Sequence, residues 1–581
     1  MEVIIFLVVL VLFLIAFYVK GALDARKQKQ RFIAELRRDY GKPKERTPFP
    51  ERYANLGQYF EKHKKGYVVD DITWNDLSMD QVFQRVNYMH SACGEEYLYY
   101  RLRCPEQKNG QEALAADEEA LICYLQEHED VRVALQMQFA KIGYTGKYSL
   151  YQYLEFLDNL GERNNKKHYA AFAAYLAAAG ICIFAPSVGI TAVVAIMVYQ
   201  IFSYLKERGE NEPYLVSFAF ILRFLGGAGE LAEKGTKQES DGISVYLASM
   251  RDHIKELHPI TKHTFFLMNE NANKGDPISI VGDYIKMITH INLIQFNQML
   301  SAVCRYRDQL DHLYTQMGYL EYLLCVGEYR KSVPQFCVPE FRETEGIRCE
   351  KLYHPLIEHA VACSFSEEKG VLVTGSNASG KSTFLKTVAI NVILAQSLHT
   401  ALAKSMELAH FRIYSSMALR DDLDSGESYY MVEIRALKRI IDAIDGENAF
   451  REDAIKPDGK EAPNRILCFV DEVLRGTNTV ERIAASTQIM KYFRDRDVFC
   501  FAATHDIELT HLLEKEYHNF HFEEDVADGD IHFNYELKEG RATTRNAIKL
   551  LEIMGYEKQI IEDAQNMAAE FVATGKWRES V

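Results

Sequence analysis

Cysteine pairing is missing from this chain. Its eleven cysteines are scattered from Cys93 to Cys500 with no C-x-x-C pair, which excludes a disulfide-stapled scaffold and a cysteine-built zinc site and points to a reducing, cytosolic setting. Excess positive charge is missing too. With 67 basic against 82 acidic side chains, the net charge is −15 and the pI is near 5.7, so the protein is not coated for nucleic acid and any DNA contact is a local patch. The charged fraction of 26% beside 48% hydrophobic residues excludes global disorder. Proline is sparse between about Tyr67 and Val333, where apolar residues recur at helical spacing, as from Leu293 to Leu324; that stretch predicts a helical domain. At 581 residues the chain has room for about three or four modules.

A mean hydropathy of −0.20 conceals two strongly apolar stretches. Val3 to Val19 carries no charge and, at 1.5 Å per residue, is about 26 Å long as a helix, enough to cross hydrocarbon. Only Met1 and Glu2 precede it, while Arg26, Lys27, Lys29 and Arg31 follow. That order fits an uncleaved anchor (residues 1–20) with its C-terminal side in the cytoplasm better than a signal peptide. The second stretch, 168–205, has Pro186 and Ser187 at its middle, so Tyr169 to Phe184 and Val188 to Leu205 form a membrane hairpin whose basic flanks both face the cytoplasm. Its ten alanines keep a buried helical pair as the alternative. Between them, residues 21–66 read as a basic juxtamembrane linker attracted to anionic lipid, with Pro43, Pro48 and Pro50 breaking any helix. The helical domain occupies 67–340. After Pro339, short apolar runs ending in polar motifs and followed by helices predict an α/β domain, 341–581.

Val371 to Thr374 is a short apolar strand leading into Gly375-Ser376-Asn377-Ala378-Ser379-Gly380-Lys381-Ser382-Thr383 and then an apolar helix. This G-x-x-x-x-G-K-S loop turns backbone N–H groups onto phosphates, Lys381 pairs with the β/γ oxygens of ATP, and Ser382 offers a hydroxyl to Mg²⁺. A second apolar strand, Ile466 to Val470, ends in Asp471-Glu472: Asp471 would hold Mg²⁺ through water and Glu472 would polarise the attacking water. A third, Val498 to Ala503, ends in Thr504-His505, where an imidazole can sense the γ-phosphate.

The order T-G-S-N-A-S-G-K-S-T, D-L-D-S-G-E-S-Y-Y-M-V-E, F-V-D-E-V-L-R-G-T-N-T and A-A-T-H-D-I-E-L resembles the ATPase domain of MutS, the DNA mismatch-repair family, over about residues 350 to 570. More weakly, Ser91 to Pro105 resembles the start of the MutS helical core. The resemblance implies an ABC-like, MutS-type P-loop ATPase domain preceded by an all-α core. It further implies a homodimer whose composite ATP sites are each closed by Ser428 of the other subunit. Asn377 matches the family's loop asparagine, Arg475 to Thr479 the loop signalling between sites, Tyr535 a residue stacking near adenine, and Asn546 to Gly555 the dimer-stabilising helix-turn-helix.

The departures bear on function. The Phe-x-Glu wedge and connector domain of mismatch readers have no counterpart before residue 67. Phe341-Arg342-Glu343 and Phe522-Glu523-Glu524 fit the triplet by chance, and a dedicated nuclease domain is not expected. The expectation is a membrane-anchored, dimeric MutS-like ATPase moving its helical arms, on DNA, with the ATPase domain in the cytoplasm. The alternatives are an ATP-driven membrane machine or an ATP-gated structural dimer that does not act on nucleic acid; against transport, L-S-G-G-Q is missing and no crossing carries a central charge.

Overall fold

A computed structural model describes the backbone of residues 2–43, 50–105, 112–145, 148–161, 163–234, 241–262, 286–342, 346–376, 379–417, 429–453, 465–474, 477–527, 530–542 and 547–574. The chain divides into two units. One comprises residues 1–63, 87–100 and 117–331, the other 64–86, 101–116 and 332–581.

The first unit contains only helices among its described residues. Its axis is the helix Arg307–Ser332, buried on every side from Leu320 to Arg330. Its Tyr314 packs against Tyr59, which in turn meets the rings of Tyr97 and Tyr151. Asp311 sits at the rim of this cluster, receiving bonds from Tyr151 OH at 2.7 Å and His63 Nε2 at 3.0 Å, with Lys62 Nζ at 3.2 Å. Burial alone would raise this carboxyl; the bonds from His63 and Tyr151 and the nearby charges outweigh it and bring the pKa down to about 2. A carboxylate depressed in the folded state stabilises above its unfolded value and loses that contribution as pH falls toward the folded one. Asp311→Asn is therefore expected to cost about 2 kcal/mol at neutral pH. Denaturant unfolding at several pH values should show the difference from wild type shrinking as pH drops from about 4 toward 2.

Residues 21–38 continue the same helix as the apolar run, Glu2–Arg38, and residues 50–63 form a second helix, Pro50–His63. The expected linker is thus largely helical. Its Lys, Arg, Gln, Ala and Leu are good helix formers, and Pro50 stands in the first turn, where its missing N–H is not needed. Leu36, Leu56, Tyr59 and Phe60 are buried, so these helices pack into the unit and are not a solvated tether.

The second apolar stretch forms two antiparallel helices, Lys166–Phe184 and Pro186–Asn211. The turn between them is tight: a β-carbon at Gly189 would lie 2.4 Å from Cys182 Sγ, so only glycine fits. The pair is not the buried core pair held open as the alternative. Leu176, Ile183 and Phe184 are 75%, 78% and 90% exposed, and Val188, Ile190, Tyr199 and Phe202 are likewise bare. Both helices are long and apolar enough to cross a membrane.

The second unit carries twelve strands among the described residues: β1 (Glu340–Phe341), β2 (Ile347–Leu352), β3 (Cys363–Glu367), β4 (Gly370–Thr374), β5 (Ser405–Leu408), β6 (Phe411–Ser416), β7 (Arg465–Asp471), β8 (Phe499–Ala503), β9 (Tyr517–His521), β10 (Glu524–Ala527), β11 (Asp530–Phe533) and β12 (Lys538–Glu539). A six-stranded sheet runs β12-β9-β4-β8-β7-β6, parallel except for β12. β8 is buried at every residue and β7 at its five central residues, as expected of a parallel sheet covered on both faces. Leu437, Ile440, Met490 and Phe493 from the helices Tyr429–Asp453 and Thr479–Asp495 cover one face. On the other, Phe384 of the helix Lys381–Leu398 meets Phe501.

Residues 64–86, which the sequence divides between the linker and the helical domain at residue 67, belong to this unit. β6 is an edge strand, and the segment covers it: Ile413 N–H donates to Tyr67 OH at 2.7 Å, and Asp76 accepts from Ser415 Oγ at 2.7 Å and Met417 N–H at 2.9 Å. Pairing the open edge with side chains in this way blocks strand addition. At the C-terminal end, the helices Ala547–Ile553 and Lys558–Thr574 flank Gly555, whose φ is +79°, consistent with the helix-turn-helix pattern read there.

Candidate functional site

β4, β8 and β7 are neighbours in the sheet, and Val373, Ala503 and Asp471 share one row of its register. The three polar motifs that follow these strands therefore leave the sheet at one edge and one level, where parallel α/β sheets receive ligands.

After β4 the chain turns through Gly375 at φ +149° and Gly380 at φ +107°, conformations that L side chains rarely adopt. A β-carbon on Gly375 would lie 2.7 Å from Ser379 Oγ and 2.9 Å from Phe522 O, so the cradle admits none. Lys381 begins the following helix and is buried. Its Nζ donates to Gly375 O at 2.9 Å and Ser376 O at 2.8 Å and lies 3.3 Å from His505 Nε2. Burial lowers the Lys381 pKa, opposed by the attraction of Asp471, Glu472 and Glu524. Ser379 Oγ is buried without a hydrogen-bond partner. Asn377, Ala378 and Ser428 lie outside the described residues, as do Arg475 and Gly476.

At the end of β7, burial raises the Asp471 pKa; the hydrogen bond from Ser382 opposes this, and the adjacent Glu472 adds to it. Glu472 has φ +57°, a left-handed conformation costing a non-glycine residue about 1–2 kcal/mol. Its N–H is fixed by Ala503 O at 2.9 Å, so the sheet itself holds the turn. Glu472 Oε1 meets His505 Nε2 at 2.8 Å. Lys381, His505 and Glu472 thus gather from three separate strand ends, His505 Nε2–H donating to Glu472 with the Lys381 ammonium alongside.

Two features of this site were not evident from the motifs. Asp506, beside His505, takes a two-pronged bond from Arg482 Nε at 2.8 Å and Nη2 at 2.6 Å, tying the His505 turn to the helix Thr479–Asp495, which Asn478 caps through Val480 N–H at 2.9 Å. Charge and adjacency to His505 were the available signals, but the pairing is visible only in three dimensions. Glu524 accepts from Ser376 Oγ at 2.8 Å. The Phe522-Glu523-Glu524 triplet therefore belongs to the rim of this site.

A cleft of about 540 Å³ opens over the loop, lined by Ser379 to Thr383, Glu472, His505 and Tyr535 on one side and by His354, Ile357 and Val361 on the other. Tyr535 stands over Gly380, with its ring 3.2 Å from where a β-carbon would be. Ile357 and Val361 are 44% and 48% exposed and present an apolar wall suited to a planar base. The donors fit a nucleotide with its cation: a glycine cradle, an unsatisfied Ser379 hydroxyl, an ammonium, and a Ser382–Asp471 oxygen pair of the hard type that Mg²⁺ prefers.

A family model described as MutS domain V matches residues 371–450 and 459–572. The DNA mismatch repair protein MutS of Thermus thermophilus is 30% identical over 240 residues, 40% of this chain and 27% of that protein. DNA mismatch repair protein MutS 2 of Haloarcula marismortui is 30% identical over 203 residues, 34% of this chain and 20% of its own. MutS of Streptococcus equi subsp. equi is 27% identical over 299 residues, 49% and 33% of the two chains. The chain thus spans about a fifth to a third of the length of these curated relatives. MutS domain V is a P-loop ATPase domain, and these relatives carry mismatch repair in their names.

Proposed function

We propose, for a chain that belongs to the MutS family through its domain V, a membrane-anchored, dimeric ATPase that couples ATP hydrolysis to a change in its helical part and acts on DNA. The observation that carries the ATPase reading is the single register row from which the phosphate loop, Asp471-Glu472 and His505 all issue.

The roles follow from position. The N–H groups of the loop from Gly375 to Thr383 and the start of the helix Lys381–Leu398 receive the phosphates. Lys381 turns its ammonium from Gly375 O and Ser376 O toward the β/γ oxygens. Ser382 and, through water, Asp471 would hold Mg²⁺, which when bound neutralises charge on those oxygens. Glu472 accepts a proton from the attacking water as it moves in line. His505, hydrogen-bonded to Glu472 and steadied through Asp506 by Arg482, keeps that carboxylate oriented and meets the γ-phosphate. Tyr535 and the apolar wall of Ile357 and Val361 take the base.

Membrane attachment is supported by the bare apolar faces of the helices Lys166–Phe184 and Pro186–Asn211, which would expose a large hydrophobic surface to water. The uncharged run from Val3 to Val19 supports it further. The basic flanks near Arg26, Lys166 and Lys206 support a cytoplasmic position for the ATPase domain by the positive-inside rule.

Both parts are checked on the full chain. It is expected to stay in alkali-washed membranes, and recovery in the soluble fraction would reject the anchor. Purified in detergent, its ATPase rate should rise several-fold with duplex, mismatched or branched DNA at one fixed salt concentration. A rate indifferent to every DNA would reject the nucleic-acid role and favour an ATP-driven membrane machine or an ATP-gated dimer.

A further inference from the structure

We propose that His168, Glu207 and His290 form a binding site for a divalent transition-metal cation of the zinc class, clamping the base of the apolar helical hairpin to the helix that begins at Ile291. Each residue offers one ligand atom, and these atoms lie within 4.8 Å of one another. His168 stands in the first turn of the helix Lys166–Phe184 and Glu207 near the end of Pro186–Asn211, so the antiparallel pairing brings them to the same level. His290 immediately precedes the helix Ile291–Arg305 in a left-handed conformation, φ +54°.

The hydrogen bonds set the chemistry. His290 Nε2 lies 2.9 Å from Gln200 O; a carbonyl only accepts, so Nε2 carries the proton and Nδ1 of the neutral ring carries a lone pair. Donation of the outer ring N–H to a backbone carbonyl is the usual way a metal-binding imidazole is oriented. That Nδ1 is 3.0 Å from His168 Nδ1. His168 has a 1% exposed side chain, and its Nε2 has no hydrogen-bond partner while lying 3.6 Å from Glu207 Oε2. A neutral His168 cannot satisfy this arrangement. With its proton on Nδ1, a bare Nε2 faces a carboxylate; with its proton on Nε2, two Nδ1 lone pairs face each other. A cation held by the two Nδ1 atoms resolves the conflict, because His168 then carries its proton on Nε2, facing Glu207 Oε2.

Metal–nitrogen bonds of about 2.0–2.1 Å at a tetrahedral centre place two nitrogens about 3.3 Å apart, within a few tenths of an ångström of the spacing present. Two imidazoles with one carboxylate form a nitrogen–oxygen set that suits Zn²⁺ or Co²⁺. Ser203 Oγ orients Glu207 Oε1 at 3.1 Å. Lys167 Nζ, 2.8 Å from Oε2, has a 59% exposed side chain and can swing into water when a cation takes its place.

The test uses the full chain in detergent, stripped with chelator and titrated with Co²⁺ while its visible d–d absorption is followed, then with Zn²⁺ in competition, with bound metal counted by mass spectrometry. One equivalent per chain is expected, with a rise in melting temperature. His168→Gln and His290→Gln should each weaken binding by on the order of 100-fold without changing basal ATP hydrolysis. Glu207→Gln, which keeps shape and removes charge, should weaken it about tenfold or more and serves if the histidine variants fail to fold. A wild-type chain that takes up no stoichiometric metal, as when His168 is simply protonated, overturns the proposal, and so does unchanged affinity in Glu207→Gln.

Discussion

Glu472→Gln is expected to leave ATP binding within about threefold of wild type and to slow hydrolysis by about 10²-fold or more, the usual contribution of a positioned general base. Glutamine keeps the side-chain length and can still accept from His505 Nε2, now 2.8 Å from the carboxylate, so the polar group linking the three strand ends survives. What is lost is the ability to take a proton from water. Lys381→Ala should show the opposite split. The ammonium is the buried cation of the cradle, and each charge-assisted hydrogen bond it makes to phosphate contributes about 1.5–3 kcal/mol. Its loss should weaken ATP affinity by at least about tenfold. Equilibrium binding of a labelled nucleotide and single-turnover hydrolysis separate the two effects. A wild-type rate for Glu472→Gln would remove Glu472 from the role of water-polarising residue.

The edge that carries the candidate site was legible in the sequence because each of its three strands is a short apolar run ended by a polar motif, and a parallel sheet buried on both faces has that text. The strand order β4-β8-β7 was not legible. It depends on β8 inserting between β7 and a β4 more than a hundred residues earlier in the chain, and it is what brings Lys381, His505 and Glu472 together. The Arg482–Asp506 bridge and the Ser376–Glu524 bond were hidden for the same reason, since local patterning carries no information on partners far along the chain. Across residues 21–66 the prolines suggest a broken helix, although Pro50 opens one. The helical spacing of Tyr67 to Val86 suggests the helical domain, but Tyr67, Thr73 and Asp76 cover the edge of β6, and edge protection leaves no periodic signature. For the hairpin, composition alone allowed either lipid or core around it. In this chain Leu176, Ile183 and Phe184 stand exposed, a bareness that composition does not announce.

Mixed dimers carrying Ser428→Ala in one subunit and Lys381→Ala in the other are expected to regain about one working site, although each variant alone is poorly active. The helix Tyr429–Asp453 begins directly after Ser428, so a serine hydroxyl and the free N–H groups of the first helical turn can together meet an anion. In an isolated subunit these donors would face only water, and their loss would cost little. Across a dimer they would meet a γ-phosphate carrying several negative charges, where a charge-assisted hydrogen bond contributes about 1.5–3 kcal/mol, a tenfold to hundredfold effect on closure. In the mixed dimer one site has an intact phosphate loop on one side and an intact Ser428 on the other, while its partner site has lost both. Restored ATPase activity, measured on dimers isolated through two different affinity tags, is the expected result. No recovery in dimers shown to be mixed would reject the composite site in this form, because Ser428 would then act within its own chain or the two sites would have to fire together. Normal activity of the Ser428→Ala homodimer would leave the residue as a cap on its own helix, stabilising that helix by about 1 kcal/mol and nothing more.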